Sequence, residues 1–205
     1  RRDWAYSFGP NEWEGPARFD PNWARHWRAQ VLIDELRKAG AKRILDVGAG
    51  PVYPTILALA GFQVDALDIS EECLRQIRAL AEKHQVADLV CSHQGMIEKL
   101  DERFAPESFD AVVLGEILEH IPDPALGLRQ AYQMCKLGGV ILITTPVGNH
   151  HYDPMHIGPK DGGWDDASMK QLLAPYEGQV AQLEKIAETE SDEPSCYLAV
   201  IKKKA

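Results

Sequence analysis

Arg43-Ile-Leu-Asp-Val-Gly-Ala-Gly-Pro-Val52 is a short apolar run closed by glycines. An apolar run of this length, bounded by turn residues, reads as a buried parallel strand. Gly48 and Gly50 give the turn after it a backbone that a ligand can approach closely. The next apolar run, residues 63–69, carries Asp68 at its end, 20 residues after Gly48. A carboxylate placed there can accept both hydroxyls of a ribose. In open α/β sheets, ligands sit at the carboxyl ends of the strands. The two features together predict an adenosine-type cofactor at this end of the sheet. The dinucleotide pattern G-x-G-x-x-G would need glycine at position 53, which is Tyr53. That argues against a nicotinamide-dependent oxidoreductase.

Outward from this stretch, strands alternate with helices five times. Before it, Asp20-Pro21 suits a helix start. Trp23, Trp27, Val31, Leu32 and Leu36 follow at helical spacing, and Gly40 stops the helix. Residues 53–60 suit a helix. Ser70, Glu71 and Glu72 open another, with Leu74, Ile77, Leu80 and Ala81 on one face. Residues 88–94 read as a third strand and Phe109–Gly115 as a fourth. Asp123-Pro124 starts a helix that Gly138-Gly139 is expected to end, with Leu128, Ala131, Tyr132 and Cys135 on its buried side. Val140 to Thr145 is the most β-branched strand. A helix over 166–174 and strands at 180–190 and 196–203 complete the pattern. The last two strands have a short polar connection and suit an antiparallel hairpin at a sheet edge.

The pattern predicts one α/β domain, a Rossmann-like doubly wound sheet, mostly parallel with a C-terminal antiparallel hairpin. It would cover 1–205: an N-terminal lid segment and helix (1–40), a cofactor-binding core (41–146), an acceptor-side insertion (147–165), and a C-terminal helix and hairpin (166–205). The chain of 205 residues is 45% hydrophobic, enough for a normal core. Its formal net charge of −9 argues against a nucleic-acid partner, which would need Lys and Arg to neutralise phosphates. Cys73, Cys91, Cys135 and Cys196 are scattered and read as thiols, not as a disulfide framework. The longest apolar stretch, 139–145, is too short to cross a bilayer, and nothing reads as a signal peptide. A cytoplasmic location is expected.

Three blocks carry a resemblance. Ile44-Leu-Asp-Val-Gly-Ala-Gly50 resembles motif I of the class I S-adenosylmethionine (SAM)-dependent methyltransferases. Phe109-Asp-Ala-Val-Val-Leu-Gly-Glu-Ile-Leu-Glu-His-Ile-Pro-Asp-Pro124 resembles the fourth-strand block of the subgroup that includes ubiquinone-type O-methyltransferases. Cys135-Lys-Leu-Gly-Gly-Val-Ile-Leu-Ile-Thr-Thr-Pro146 resembles its fifth-strand block. The resemblance implies SAM as cofactor and a sheet of about seven strands. By it, Asp46, Gly48 and Gly50 would line the methionine part, and Asp68 would hold the ribose, with Ile69 against the adenine. Gly95 and Met96 would sit at the adenine edge and Gly115 by the methionine end. Two positions depart from the pattern: Val52 replaces the third motif I glycine, and Met96 replaces an acidic residue near the adenine amino group.

The acceptor side is read from histidines and carboxylates. A hydroxyl acceptor needs a base or a metal to take its proton. Histidine titrates near neutrality, so His120 and His156 are candidate bases. If a helical turn starts at Glu116, then Glu116, Glu119 and His120 share one face. With His156 they form a candidate divalent-metal set. A Glu-x-x-Glu-His segment with a later histidine is similar to the metal-dependent 2′-O-methyltransferases of small RNAs. The bland readings are a capped, hydrogen-bonded loop for Glu119 and His120, solvated loop residues for His150 and His151, and packing under the insertion for His156; Asp153 lies in the same insertion. Trp4, Trp13 and Trp164 are candidates for an aromatic wall over the acceptor, or for packing. The expected function is methyl transfer from SAM to a hydroxyl of a small metabolite or sugar. The alternatives are a metal-dependent 2′-O-methyltransferase of an RNA or glycan hydroxyl, and a non-catalytic SAM-binding protein. Oligomeric state is not legible.

Overall fold

A computed structural model describes residues 27–148, 156, 157, 159, 163–187 and 193–204. Its seven strands make a mixed sheet, and the chain divides between Met96 and Ile97 into two compact units. No described helix is long and apolar enough to cross a membrane.

In the first unit, helix α1 (Trp27–Lys38) buries Ala29, Leu32, Ile33 and Leu36. Gly40, at φ +67°, ends it as expected, and the Ala41 N–H donates back to the Leu36 carbonyl. Strand β1 (Arg43–Val47) pairs in parallel with β2 (Gln63–Asp68), and β2 with β3 (Val90–Gln94). Residues 44–47 are buried, as a strand covered on both faces requires. Helix α2 (Tyr53–Leu59) follows β1 and α3 (Glu71–Lys83) follows β2. Ser70 caps α3 by accepting the Cys73 N–H. The predicted apolar face of α3 is buried throughout, and its Leu74 and Ile77 share a cluster with Ala49, Ala66 and Cys73. Strand β2 stops at Asp68, one residue early, because the Ser70 N–H turns back onto Asp68 Oδ1 at 2.8 Å. Strand β3 starts two residues late. Ala87–Leu89 form a 3₁₀ turn instead, and Asp88 is a poor strand former.

In the second unit, β4 (Phe109–Gly115) has the expected bounds. Helix α4 (Pro124–Met134) starts on Asp123, whose Oδ1 accepts the Leu126 N–H at 2.9 Å. The glycine pair does not end this helix. The helix stops at Met134 and β5 (Cys135–Pro146) begins at once. Cys135 pairs with Phe109, and the next pair is Ala111 with Val140, so the intervening residues bulge out of register. Gly138 takes φ +80° within the bulge. A Cβ on Gly139 would lie 2.6 Å from the Asp110 carbonyl oxygen. Lys203 clasps the bulge: its Nζ donates to the carbonyls of Tyr132 and Cys135, at 3.1 and 2.9 Å. The pair is therefore required by a close backbone crossing, a different reason from a helix cap.

Strand β5 pairs antiparallel with β7 (Cys196–Lys202), which pairs antiparallel with β6 (Val180–Ile186), giving the expected hairpin and a local order β4-β5-β7-β6. Helix α5 (Asp166–Leu173) opens with a capping box between Asp165 and Ser168. Gly139→Ala should lower stability by about 1–3 kcal/mol in urea unfolding, because backbone must move to admit the methyl group. Leu137→Ala, exposed in the same bulge, should stay within about 0.5 kcal/mol. Equal losses would contradict this account of the glycine pair.

Candidate functional site

Seven of the predicted cofactor residues gather at the carboxyl ends of β1, β2 and β3. Asp46 lies near the end of β1 and is only 3% exposed. Its Oδ2 is buried and has no hydrogen-bond partner among the described residues. Burial, and next the charge of Asp68, push its carboxyl up to about 8. A buried oxygen of this kind is costly unless a donor reaches it. Beyond it, Gly48 and Gly50 hold φ values of +65° and +56°. Among the described residues nothing lies within 4 Å of a Cβ on Gly50, so the demand there is backbone conformation, not space. The N–H groups of Gly48 and Ala49 both donate to the Leu67 carbonyl, at 2.8 and 3.2 Å.

Asp68 is half-buried at the end of β2. The Gly95 N–H donates to its carbonyl at 3.1 Å, which ties the ends of β2 and β3 together. A Cβ on Gly95 would come within 3.1 Å of Leu67 Cδ1, so a larger residue here would require the Leu67 side chain to shift. Ile69 and Met96 are 43% and 47% exposed, two large apolar side chains left uncovered beside the glycine turn. Val52, at the position of the third motif glycine, turns inward: it is buried, and its carbonyl accepts the Ile56 N–H to start α2.

Gly115, the eighth predicted cofactor residue, and the residues expected on the acceptor side lie in the second unit. Gly115 ends β4, where a Cβ would make ordinary contact with Thr144 Oγ1 at 3.7 Å. Glu116 adopts φ +53° and donates its N–H to the Thr144 carbonyl. That left-handed residue prevents a helical turn from starting at 116, and the 3₁₀ turn spans Leu118–His120 only. Glu116, Glu119 and His120 therefore do not share a helical face. The structure brings together Glu119, His120 and His156, whose ligating atoms lie within 4.8 Å of one another, and leaves Glu116 out of the group. Glu116 Oε1 instead accepts from the Cys196 thiol at 3.5 Å.

Glu119 is 1% exposed; Thr145 Oγ1 donates to its Oε2 at 3.0 Å, and its carbonyl accepts the Ile157 N–H at 2.8 Å. The His120 and His156 rings meet edge to face, centroids 4.8 Å apart. Sequence reading did not single out Thr145 or Ile157. The available signal was a Thr pair closing an otherwise apolar strand. Trp164 is buried, not an exposed wall, and is bridged to Val147 and Gly148. Cys73, Cys135 and Cys196 are buried thiols outside any disulfide, and Cys91 is an exposed one. The expectations for Trp4, Trp13, Asp20, Trp23, the Trp27 side chain, His150, His151 and Asp153 fall outside the described residues.

A family model described as a methyltransferase domain matches residues 38–198. A ubiquinone biosynthesis O-methyltransferase of Pseudomonas putida is 35% identical over 136 residues, which cover 65% of this chain and 56% of that protein. The chain spans about half the length of the curated relatives it matches. Among solved structures, the [4+2]-cyclase SpnF matches with a TM-score of 0.68 at 16% identity, covering 92% of this chain and 86% of that one. The methyltransferase domain of bacterial CtHen1-C matches with a TM-score of 0.66 at 17% identity, covering 88% and 99%. Those likenesses establish the Rossmann-like fold, and a cyclase among them shows that this fold does not fix the reaction. The chain belongs to the class I SAM-dependent methyltransferases, a family whose cofactor is SAM.

The raised Asp46 carboxyl has a consequence for stability. Its value is 3.8 as a free side chain and about 8 in the fold, so the folded chain holds the extra proton between those values. Stability from this group is then lost as pH rises through that window, by up to about 1.4 kcal/mol per pH unit. Asp46→Asn should gain on the wild type in urea midpoint from about pH 5 to about pH 8. A difference that does not change with pH would show an Asp46 ionised throughout.

Proposed function

We propose that this family member transfers a methyl group from SAM to a hydroxyl of a small metabolite or sugar. The observation that carries the reading is the buried Asp46 oxygen, which no donor among the described residues reaches, beside a left-handed glycine turn. An ammonium group is the donor that such a carboxylate calls for, and the methionine end of SAM carries one. Asp46 would take it, with Gly48 and Gly50 offering close backbone. Asp68 would hold the ribose hydroxyls. Ile69, Gly95 and Met96 would cover the adenine, which explains two exposed apolar side chains at one place. The family match runs through both compact units, which supports one methyltransferase domain.

SAM supplies a methyl group on a sulfonium, which leaves readily in an in-line displacement. The work left to the chain is to orient the acceptor oxygen and take its proton. His120 and His156 are the residues we assign to it. Glu119 backs them as a buried carboxylate that Thr145 holds in place. Oxygen as the methylated atom is supported by this pair and by relatives named O-methyltransferases.

A second reading rests on the same three side chains. Two imidazoles and a carboxylate within 4.8 Å suit a divalent cation, which would make the enzyme metal-dependent and extend its acceptors to an RNA or glycan hydroxyl. The net charge of −9 speaks against RNA.

Incubation with methyl-labelled SAM and a panel of phenols, catechols and sugars tests the main reading. His156→Ala should lower kcat by about 10²–10⁴ while S-adenosylhomocysteine affinity stays within about twofold. Full turnover in EDTA supports the base, and loss restored by a divalent ion supports the metal. Wild-type turnover in both His120→Ala and His156→Ala would sink both. Because Asp46 must lose its proton to pair with the ammonium, S-adenosylhomocysteine affinity should rise by up to about tenfold per pH unit below pH 8. The trend should vanish in Asp46→Asn.

A further inference from the structure

We propose a second site in this chain, a zinc-class divalent-cation site formed by Asp65, Cys91 and His93 on the β2–β3 pair. Asp65 sits in the middle of β2, in register with Cys91 of β3. His93 is two residues beyond Cys91, so side-chain alternation puts it on the same face. The ligating atoms of all three lie within 4.8 Å of one another. A charged side chain only 6% exposed in mid-strand must be paired or hold a metal ion. Leu67, the next residue on that face of the strand, is apolar and buried.

The two carboxylate oxygens are already divided between two tasks. Oδ2 accepts from Arg43 Nε at 2.9 Å, and Oδ1 lies 2.8 Å from His93 Nε2. Burial raises the Asp65 carboxyl, but these two partners more than reverse it and hold the group below its ordinary value. The Asp65–His93 contact is a short bridge that a proton or a metal ion can occupy. Cys91, an exposed thiol, supplies a soft third ligand at its edge. Sulfur, imidazole nitrogen and carboxylate oxygen together favour Zn²⁺ or Co²⁺ over Mg²⁺ or Ca²⁺, which prefer oxygen. Arg43 would then serve as the outer hydrogen bond that orients the ligating carboxylate. A cavity of about 240 Å³, lined by Arg43, Asp65, Asp88 and Cys91 among others, gives room for entry and a water as fourth ligand.

Binding would release the Cys91 thiol proton and the proton of the Asp65–His93 bridge. The ion would staple β3 to β2. The far ends of those two strands carry Asp68, Ile69, Gly95 and Met96, so the staple would brace that end of the first unit. The site uses none of the residues assigned to SAM or to the acceptor proton, and does not depend on those assignments.

The test is a titration of the reduced protein with Co²⁺, followed by displacement with Zn²⁺. Stoichiometric binding with tetrahedral visible bands and a sulfur-to-cobalt charge-transfer band is expected. Cys91→Ser should abolish the charge-transfer band, and His93→Gln should weaken binding at least tenfold. His156→Ala should leave both unchanged. Circular dichroism confirms the fold of each variant, and the exposure of Cys91 makes its replacement safe for folding. No cobalt binding in tenfold excess, a charge-transfer band that survives Cys91→Ser, or binding lost only in His156→Ala would each overturn the proposal.

Discussion

One carbonyl governs the first unit. Leu67 O accepts the N–H groups of both Gly48 and Ala49 and so pins the turn after β1 to the end of β2. Both glycines of the turn must then adopt left-handed backbone, which a side chain would strain. The same clamp sets Asp46 near Asp68, close enough for the charge of Asp68 to oppose the ionisation of Asp46. Two carboxylates are thus presented at one strand-end rim, one buried and incomplete, the other half-buried and tied to the cap of α3. Everything assigned to the cofactor rests on this arrangement.

The second unit depends on the polar end of an apolar strand. Strand β5 is buried from Gly139 to Thr145, between β4 and β7. Its last two buried residues are threonines. The Thr145 hydroxyl is spent on Glu119, and the Thr144 carbonyl on the N–H of Glu116. Those two bonds shape the segment after β4 and decide which carboxylate faces the histidines. Glu119 does; Glu116 does not.

Sequence alone made the first unit legible because its signals are local. A glycine turn after a buried strand, a carboxylate at the next strand end and a capped amphipathic helix each have a fixed spacing. The helix face Leu74, Ile77, Leu80 and Ala81 was recoverable for that reason. The errors came where long-range packing overrode local preference. Gly138-Gly139 looks like a helix stop, yet Gly139 is needed where the chain passes the Asp110 carbonyl. Glu116 looks helical by spacing, yet β5 draws its N–H into left-handed backbone. Asp65 and His93 were invisible because their pairing exists only through the β2–β3 register.

The strand-end rim of the first unit is the proposed seat of the adenosine and methionine parts of SAM. Calorimetric titration with S-adenosylhomocysteine, with NAD as control, addresses it directly. The prediction is micromolar binding of the first, none comparable of the second, and a loss of at least tenfold (about 1.4 kcal/mol) in Asp68→Ala. A folded protein that binds neither, or binds NAD more tightly, would contradict it.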